Sequence, residues 1–388
     1  MTINNEHKKL NFSNEREQSQ TCLNSAEHEK NQGRKVLNVP NLRFKEFEGE
    51  WVGKTIGDIA PLQRGFDLPT GQINNGKFPV VYSNGIMNYH SSYKCVAPGL
   101  ITGRSGTIGK FTYIEDGYYW PHNTSLWVTN FYDNNPKFIY YLFQTIRIGQ
   151  YSTGSGVPTL NRNNVHRHQT FIPKLEEQKK IATFLSLLDE RIATQNKIIE
   201  DLKKLKSAIS ENLFKAVKGD VVILYEICEI IKGKQINGEF LSEKGKYYVM
   251  NGGTEPSGYY SDYNVEANTI SISEGGNSCG YVQFNSSPFW RGVHCYTIQK
   301  IADNVDNLFL YHYLKSNEDV IMKLRIGSGL PNIQKKDLAM FKIKLPTVEQ
   351  QKSISTFLSS LERKAEIEEM LLNAMKKEKQ YLLRQMFI

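Results

Sequence analysis

Along two long stretches of the chain, apolar residues recur at alternating spacings of three and four. From Glu176 to Leu213 they fall at Ile181, Leu185, Leu188, Ile192, Ile199, Leu202, Ile209 and Leu213, with polar breaks at Gln195 and Lys206. This spacing keeps one side of an α-helix apolar and predicts a heptad seam. The pattern returns at Ile354, Leu358, Leu361, Ala365, Leu372, Met375, Leu382 and Met386, with breaks at Glu368 and Lys379, every position 173 residues after its counterpart. Pro173 and Pro346 precede the runs, and neither Pro nor Gly interrupts them before Gly219 or the last residue, Ile388. Two helices of about 40 residues, roughly 60 Å long, are predicted. Neither is stable alone in water, and their shared register and shared breaks predict that they pair with each other. Antiparallel pairing within the chain is expected, with Glu368 approaching Lys206 and Gln195 approaching Lys379.

The duplication reaches beyond the helices. Gly154-Ser155-Gly156-Val157-Pro158 returns as Gly327-Ser328-Gly329-Leu330-Pro331, again 173 residues on. Upstream the copies agree only loosely: Asn84-Gly85 aligns with Asn251-Gly252 and His122 with His294, at other separations. The loosely matching segments are rich in Gly, Asn, Ser and Tyr and read as short strands and turns. Strands are predicted at 79–82, 126–129, 269–272 and 296–298, and one short helix in each copy at 137–144 and 308–315. The resulting plan is a mobile polar leader, 1–38, a β-rich domain, 39–172, a helix, 173–217, a second β-rich domain, 218–345, and a second helix, 346–388. The class is α+β: two β-rich domains separated by two long helices that pair as an antiparallel intramolecular coiled coil, with pseudo-twofold symmetry.

The 388 residues carry 48 Lys plus Arg against 40 Asp plus Glu, a formal charge of +8, with 39% hydrophobic residues. That composition excludes wholesale disorder. No apolar run approaches the roughly 20 residues of a membrane span and the start lacks a signal-peptide core, so a cytosolic protein is expected. Five cysteines, Cys22, Cys95, Cys228, Cys279 and Cys295, never spaced Cys-x-x-Cys, argue against a disulfide framework or a zinc ribbon.

Candidate chemistry is thin. Gly103-Arg104-Ser105-Gly106-Thr107-Ile108-Gly109-Lys110 imitates a phosphate loop, but its glycines are misplaced by one and Phe111 stands where Ser or Thr must hold magnesium. His294-Cys295 near Cys279 lacks a fourth metal ligand. His166-Arg167-His168 has no nucleophile or acid close in sequence. Neither an Asp/Asn-Pro-Pro-Tyr/Phe segment nor a strand-linked Gly-x-Gly-x-x-Gly is present. No catalytic residues and no metal site are therefore assigned.

Two diverged β-rich domains, each followed by a repeated Pro-x-x-Glu-x-Gln-x-x-Ile helix, resemble the specificity subunit of bacterial type I restriction-modification systems. The signature stands at Pro173, Glu176, Gln178 and Ile181 and again at Pro346, Glu349, Gln351 and Ile354. The resemblance implies two target-recognition domains, each reading one half of a split double-stranded DNA site, with the helices as ruler and docking surface. It further implies two methyltransferase subunits that use S-adenosylmethionine to methylate adenine N6, and two ATP- and Mg2+-dependent restriction subunits; this chain itself would be non-catalytic and hold no cofactor. Charge +8 suits several phosphate contacts, and base reading needs Arg on guanine and Asn or Gln on adenine. Matching the two copies singles out Arg64, Asn84, Arg104, Ser105, His122, Asn123, Asn161, Arg162 and Arg167 in the first domain. In the second it singles out Lys232, Lys234, Asn251, Glu274, Asn277, Arg291, His294, Ser328 and Asn332. The rival reading is a stand-alone scaffold whose two domains bind proteins or carbohydrate.

Overall fold

The computed structural model of the chain describes residues 37–388 apart from Ser155, Ser328 and Leu330. The leader up to residue 36, with Cys22, and the candidate Ser328 lie outside the described residues. The chain forms two units, Met1–Leu188 with Glu378–Ile388, and Asp189–Lys377.

In unit 1, β1 (Val52–Thr55) pairs antiparallel with β8 (Gln169–Ile172), which closes the domain just before the long helix begins. Between them, β2 (Leu62–Arg64), β4 (Gly99–Gly103), β5 (Phe111–Ile114) and β7 (Ser125–Val128) build an antiparallel sheet in the order β2-β7-β4-β5. β3 (Phe78–Tyr82) runs parallel to β6 (Tyr118–Pro121) in a second sheet. The predicted short helix is α1, Pro136–Thr145. Pro136 sits in its first turn, and the Asn135 side chain accepts from the Phe138 N–H at 2.9 Å, satisfying a donor that the helix leaves unpaired. Phe138, Ile139, Tyr141, Leu142 and Phe143 form its buried face. They share a core with Ile181, Ala182 and Leu185 of the first long helix, α3 (Leu175–Ala216), and with Leu382, Leu383, Met386 and Phe387 at the end of the second, α6 (Val348–Gln385). The Phe387 ring stacks on Phe138 at 5.3 Å and meets Trp51 edge-on.

Unit 2 repeats this wiring. β9 (Asp220–Ile223) pairs with β16 (Lys342–Leu345). β10 (Glu229–Lys232), β12 (Thr269–Ser273), β13 (Val282–Asn285) and β15 (Cys295–Gln299) take the order β10-β15-β12-β13, and β11 (Tyr247–Met250) runs parallel to β14 (Trp290–Arg291). Helix α4 (Asn307–Ser316) answers α1, with Asp306 as its cap, and the short α5 (Glu318–Met322) follows it. Its Phe309 and Leu310 lie in one core with Phe214 of α3 and Leu358 of α6, and Ile209, Leu213, Ile354 and Leu361 pack on it.

The long helices run antiparallel, because the start of α3 shares a core with the end of α6 in unit 1 and the reverse holds in unit 2. All the predicted seam residues, from Ile181, Leu185, Leu188, Ile192, Ile199, Leu202 and Ile209 to Ile354, Leu358, Leu361, Leu372, Met375 and Leu382, are buried or half-buried. The polar breaks pair differently from expectation. Gln195 donates to the Glu368 carboxylate at 2.6 Å and to its carbonyl at 3.1 Å, Lys206 takes Glu362, and Lys379 lies over the Tyr141 ring. The helices are slid by about two turns from the register that faces break to break. Apolar layers at both ends fix that register, and each polar group takes the acceptor it then finds.

The repeated signature is a joint. Gln178 accepts from the Asn135 N–H at 2.9 Å and donates to Asn134 and the Pro173 carbonyl, each at 3.0 Å. Gln351 accepts from Asp306 at 2.8 Å and donates to the Asn304 and Pro346 carbonyls. Both glutamines are buried, so their amides are satisfied by the half-buried loop that precedes each helix rather than by water, which fastens loop to helix. In unit 1, Glu177 adds a two-point pair with Arg43 at 2.8 and 2.7 Å; the second copy has Gln350 there.

Candidate functional site

At one end of the unit 1 sheet, β2 stops at Arg64 and the chain turns against β6. A Cβ on Gly65 would stand 2.2 Å from the His122 carbonyl oxygen and 2.4 Å from that of Pro121. Only glycine allows this approach. The turn gathers the exposed Arg64, whose guanidinium meets Asp67 at 2.9 Å, and Asn123, whose amide donates to the same carboxylate. Arg104, one residue beyond β4, is half-buried beside the Asn123 carbonyl. The His122 ring lies over Tyr82 at 4.1 Å, and burial holds its pKa below the ordinary histidine value. Lys110 donates to the Asn84 carbonyl, and Ser105 bridges Thr159, so the strand that continues into Asn161 and Arg162 is drawn to the same edge. Asn161 caps the short helix α2 (Arg162–His166) by accepting from the Asn163 N–H, and Arg162 is exposed. Arg167 lies at the other end of α2, where the neighbouring His168 carbonyl accepts from Ile56; it does not join the cluster.

The corresponding edge of unit 2 carries different groups. Lys232 ends β10 and is paired with Glu274, which also accepts from the Tyr296 hydroxyl at 3.2 Å. Glu274 is only 7% exposed, and its Oε2 lies 3.8 Å from His294 Nδ1. Asn251 accepts from the His294 N–H at 3.2 Å, and the Lys234 N–H donates to the Arg291 carbonyl. Asn277 is exposed on the turn after Glu274. Asn332 bridges Gly275, and its side chain is taken by Gln334 at 2.9 Å.

One candidate is corrected outright. Arg291 is 5% exposed, donates to the buried Thr297 hydroxyl, and burial pulls its guanidinium below the usual pKa. The parallel pairing of β14 with β11 turns it inward. It is a structural residue. The loose alignment of the copies is also corrected. The His122 N–H donates to the Val81 carbonyl just as Gly292 donates to Met250, and Arg104 donates to the Thr124 carbonyl just as Glu274 donates to His294. His122 therefore answers Gly292, Thr124 answers His294, and Tyr82 answers Asn251. Asp67, Tyr82, Lys110 and Tyr296 complete the two edges and are not singled out by the sequence. Only Lys110, inside the phosphate-loop look-alike, gives a signal there.

The groups set aside for catalysis serve the fold. His166 Nε2 accepts from the Leu62 N–H at 2.8 Å, and His168 Nδ1 lies 2.7 Å from the Tyr151 hydroxyl. The Cys279 thiol donates to the Glu274 carbonyl at 3.0 Å, and burial pushes the Cys295 thiol up to about 12. Among the described residues no three His, Cys, Asp or Glu side chains gather as a metal site, and no helix is long and apolar enough to cross a membrane.

A family model described as the type I restriction modification DNA specificity domain matches residues 48–204 and again 217–377. A Mycoplasma pneumoniae protein named as a candidate type I specificity subunit is 33% identical over 165 residues, and this chain spans 42% of its length. The specificity subunit of a type I restriction enzyme of Methanocaldococcus jannaschii is 27% identical over 274 residues, 58% of this chain and 64% of the relative. The crystal structure of a type I restriction-modification S subunit from M. genitalium has the same fold, with a TM-score of 0.66 at 20% identity over 90% of this chain and 99% of that one. Matched twice, with each match opening in a β-rich segment and running into a long helix, the chain belongs to the type I restriction-modification specificity family.

Proposed function

We propose that each unit reads one half of a bipartite double-stranded DNA site through the strand-end edge described above. The observation that supports this reading is that two copies of one fold carry unlike polar groups at equivalent positions: Arg64, Arg104 and Thr124 in one, Lys232, Glu274 and His294 in the other. Shared scaffolding with unlike edges suits two different base sequences. The glycine turns hold these side chains together at one edge of each unit, and donors such as Arg64 and Arg104 match guanine acceptors. Phosphate contacts by the basic surface add affinity without sequence information.

The paired helices set the number of unread base pairs between the half-sites and dock two methyltransferase subunits, which methylate adenine N6; two restriction subunits join that assembly. S-adenosylmethionine, ATP and Mg2+ belong to those partners. The exposed Phe357, Ile367 and Met370 of α6 and Leu187 of α3 offer apolar contact area for docking. The experiment is a one-heptad insertion in both long helices at matched positions. Each helix lengthens by about 10 Å, and the spacer in the methylated motif should widen by up to about three base pairs at 3.4 Å each. An active insertion mutant that methylates the unchanged motif overturns the ruler; sequence-independent methylation by the wild-type assembly overturns the recognition reading.

A further inference from the structure

Arg104 and Glu274 occupy the same place in the two copies. Each follows the second strand of its sheet, each accepts through its carbonyl from the returning strand (Leu160 at 2.7 Å, Ile333 at 2.8 Å), and each donates to the opposite turn. The position has reversed its charge. Glu274 is also unusual in itself. It is nearly buried, Lys232 and Tyr296 both hold its Oε1, and Oε2 has no hydrogen-bond partner among the described residues. A desolvated carboxylate oxygen without a donor is destabilising. In front of it stands His294, its Nδ1 3.8 Å away on a side chain 60% exposed.

We propose that Glu274 Oε2 accepts a hydrogen bond from the exocyclic N4 amine of a cytosine in the half-site read by unit 2, and that this contact fixes the base at that position. The assignment rests on the recognition reading above. A carboxylate only accepts, so guanine and thymine, whose major-groove edges offer acceptors (O6, N7 and O4), are repelled. Adenine offers its N6 amine, but N7 stands beside it as a second acceptor; cytosine offers N4 with no acceptor next to it. Because Lys232 occupies Oε1, the contact has one point, which suits the single amine of cytosine. His294 swings aside as the base enters. Arg104, at the matching place in unit 1, gives that half-site a donor instead.

The test uses the complete chain assembled with its methyltransferase partner. Methylated motifs are mapped for the wild type and Glu274→Gln. The wild type should require cytosine at one position of one half-site. The variant should lose the cytosine requirement at that position alone and turn toward a base that offers an acceptor there, guanine or thymine, because Lys232 and Tyr296 hold the amide oxygen and leave only its N–H donors facing the base. The other half-site stays unchanged. Binding of the wild-type assembly is then measured on a duplex with that cytosine replaced by 2-pyrimidinone, which lacks the amine. Affinity should fall about ten-fold or more, and the same replacement outside the half-sites should change nothing. An unaltered motif in Glu274→Gln, or equal affinity for the amine-less duplex, overturns the assignment. The base-analogue measurement decides the matter even if the variant fails to assemble. If the wild-type assembly shows no sequence preference at all, the recognition reading falls with it, and that outcome is distinct from a normal motif insensitive to residue 274.

Discussion

His312 makes unit 2 sensitive to acid. The side chain is 1% exposed between α4 and the start of α6, with Nε2 2.9 Å from the Ser359 hydroxyl and Nδ1 4.0 Å from Glu362. Burial pushes its pKa down to about 4; the carboxylates of Glu362 and Asp306 pull the other way, and Lys206 reinforces the drop. Below about pH 6.5 the unfolded chain takes up a proton that the folded chain refuses, so stability is lost as the pH falls from that value toward 4. Each tenfold weakening of proton affinity in the folded state is worth about 1.4 kcal/mol, so the full loss is roughly 3 kcal/mol, and roughly 2 kcal/mol of it comes between pH 7 and pH 5. His312→Gln keeps a partner for Ser359 and does not titrate. Urea unfolding is followed at pH 7, 6 and 5, and the transition moved by the substitution at pH 7 is assigned to unit 2. The variant carries a constant cost, but its stability should decline about 2 kcal/mol less than that of the wild type between pH 7 and pH 5. Parallel curves for the two proteins would show that the imidazole is not held neutral by burial and would refute the reasoning.

Other outcomes follow from the same contacts. Gln178→Leu or Gln351→Leu leaves a half-buried loop N–H without its acceptor and should destabilise its own unit by roughly 1–3 kcal/mol, read as a shifted denaturation midpoint. Leu185→Ala opens a cavity at a fully buried position and should lose about 2–5 kcal/mol in the same assay. Gly233→Ala would place a methyl 1.7 Å from the Gly292 carbonyl oxygen, so the β10 turn must shift and unit 2 should lose sequence preference while non-specific DNA binding persists. Affinity for any duplex should fall with salt at a log-log slope of about −0.9 per phosphate contacted, and charge-neutral substitution of a phosphate-contacting lysine should reduce that slope by about one.

The helices are legible because a heptad seam is written in sequence, and the four predicted strands and both short helices sit within a residue or two of their observed places. The equivalence of the strand-end residues is not legible. Length changes elsewhere shift the copies, from a separation of 168 residues for Arg64 and Lys232 to 170 for Arg104 and Glu274 and 173 for Leu160 and Ile333, so sequence aligns like residues, His122 with His294, where hydrogen bonding instead equates Thr124 with His294. Arg291 misleads because an arginine in a Gly-rich turn is ordinarily a surface group; only strand pairing reveals that it points inward. The Gln178 and Gln351 signature marks two helix starts in the sequence, but its service to Asn135 and Asp306, more than forty residues upstream, requires the fold. The partners of Gln195 and Lys206 depend on a register that apolar layers at the helix ends determine, which local pattern does not carry.

The packing of Phe387 and Met386 beside Trp51 and Phe138 has a consequence for synthesis. Residues 189–377 are contiguous, so this later-encoded half holds its whole core within one unbroken stretch of chain. The earlier-encoded half does not: its interior waits for residues 382–387, and until they emerge Phe138, Leu185 and Trp51 remain an open apolar surface. The usual order, in which the portion made first folds first, is therefore denied to this half, whose core is assembled from the two ends of the described chain.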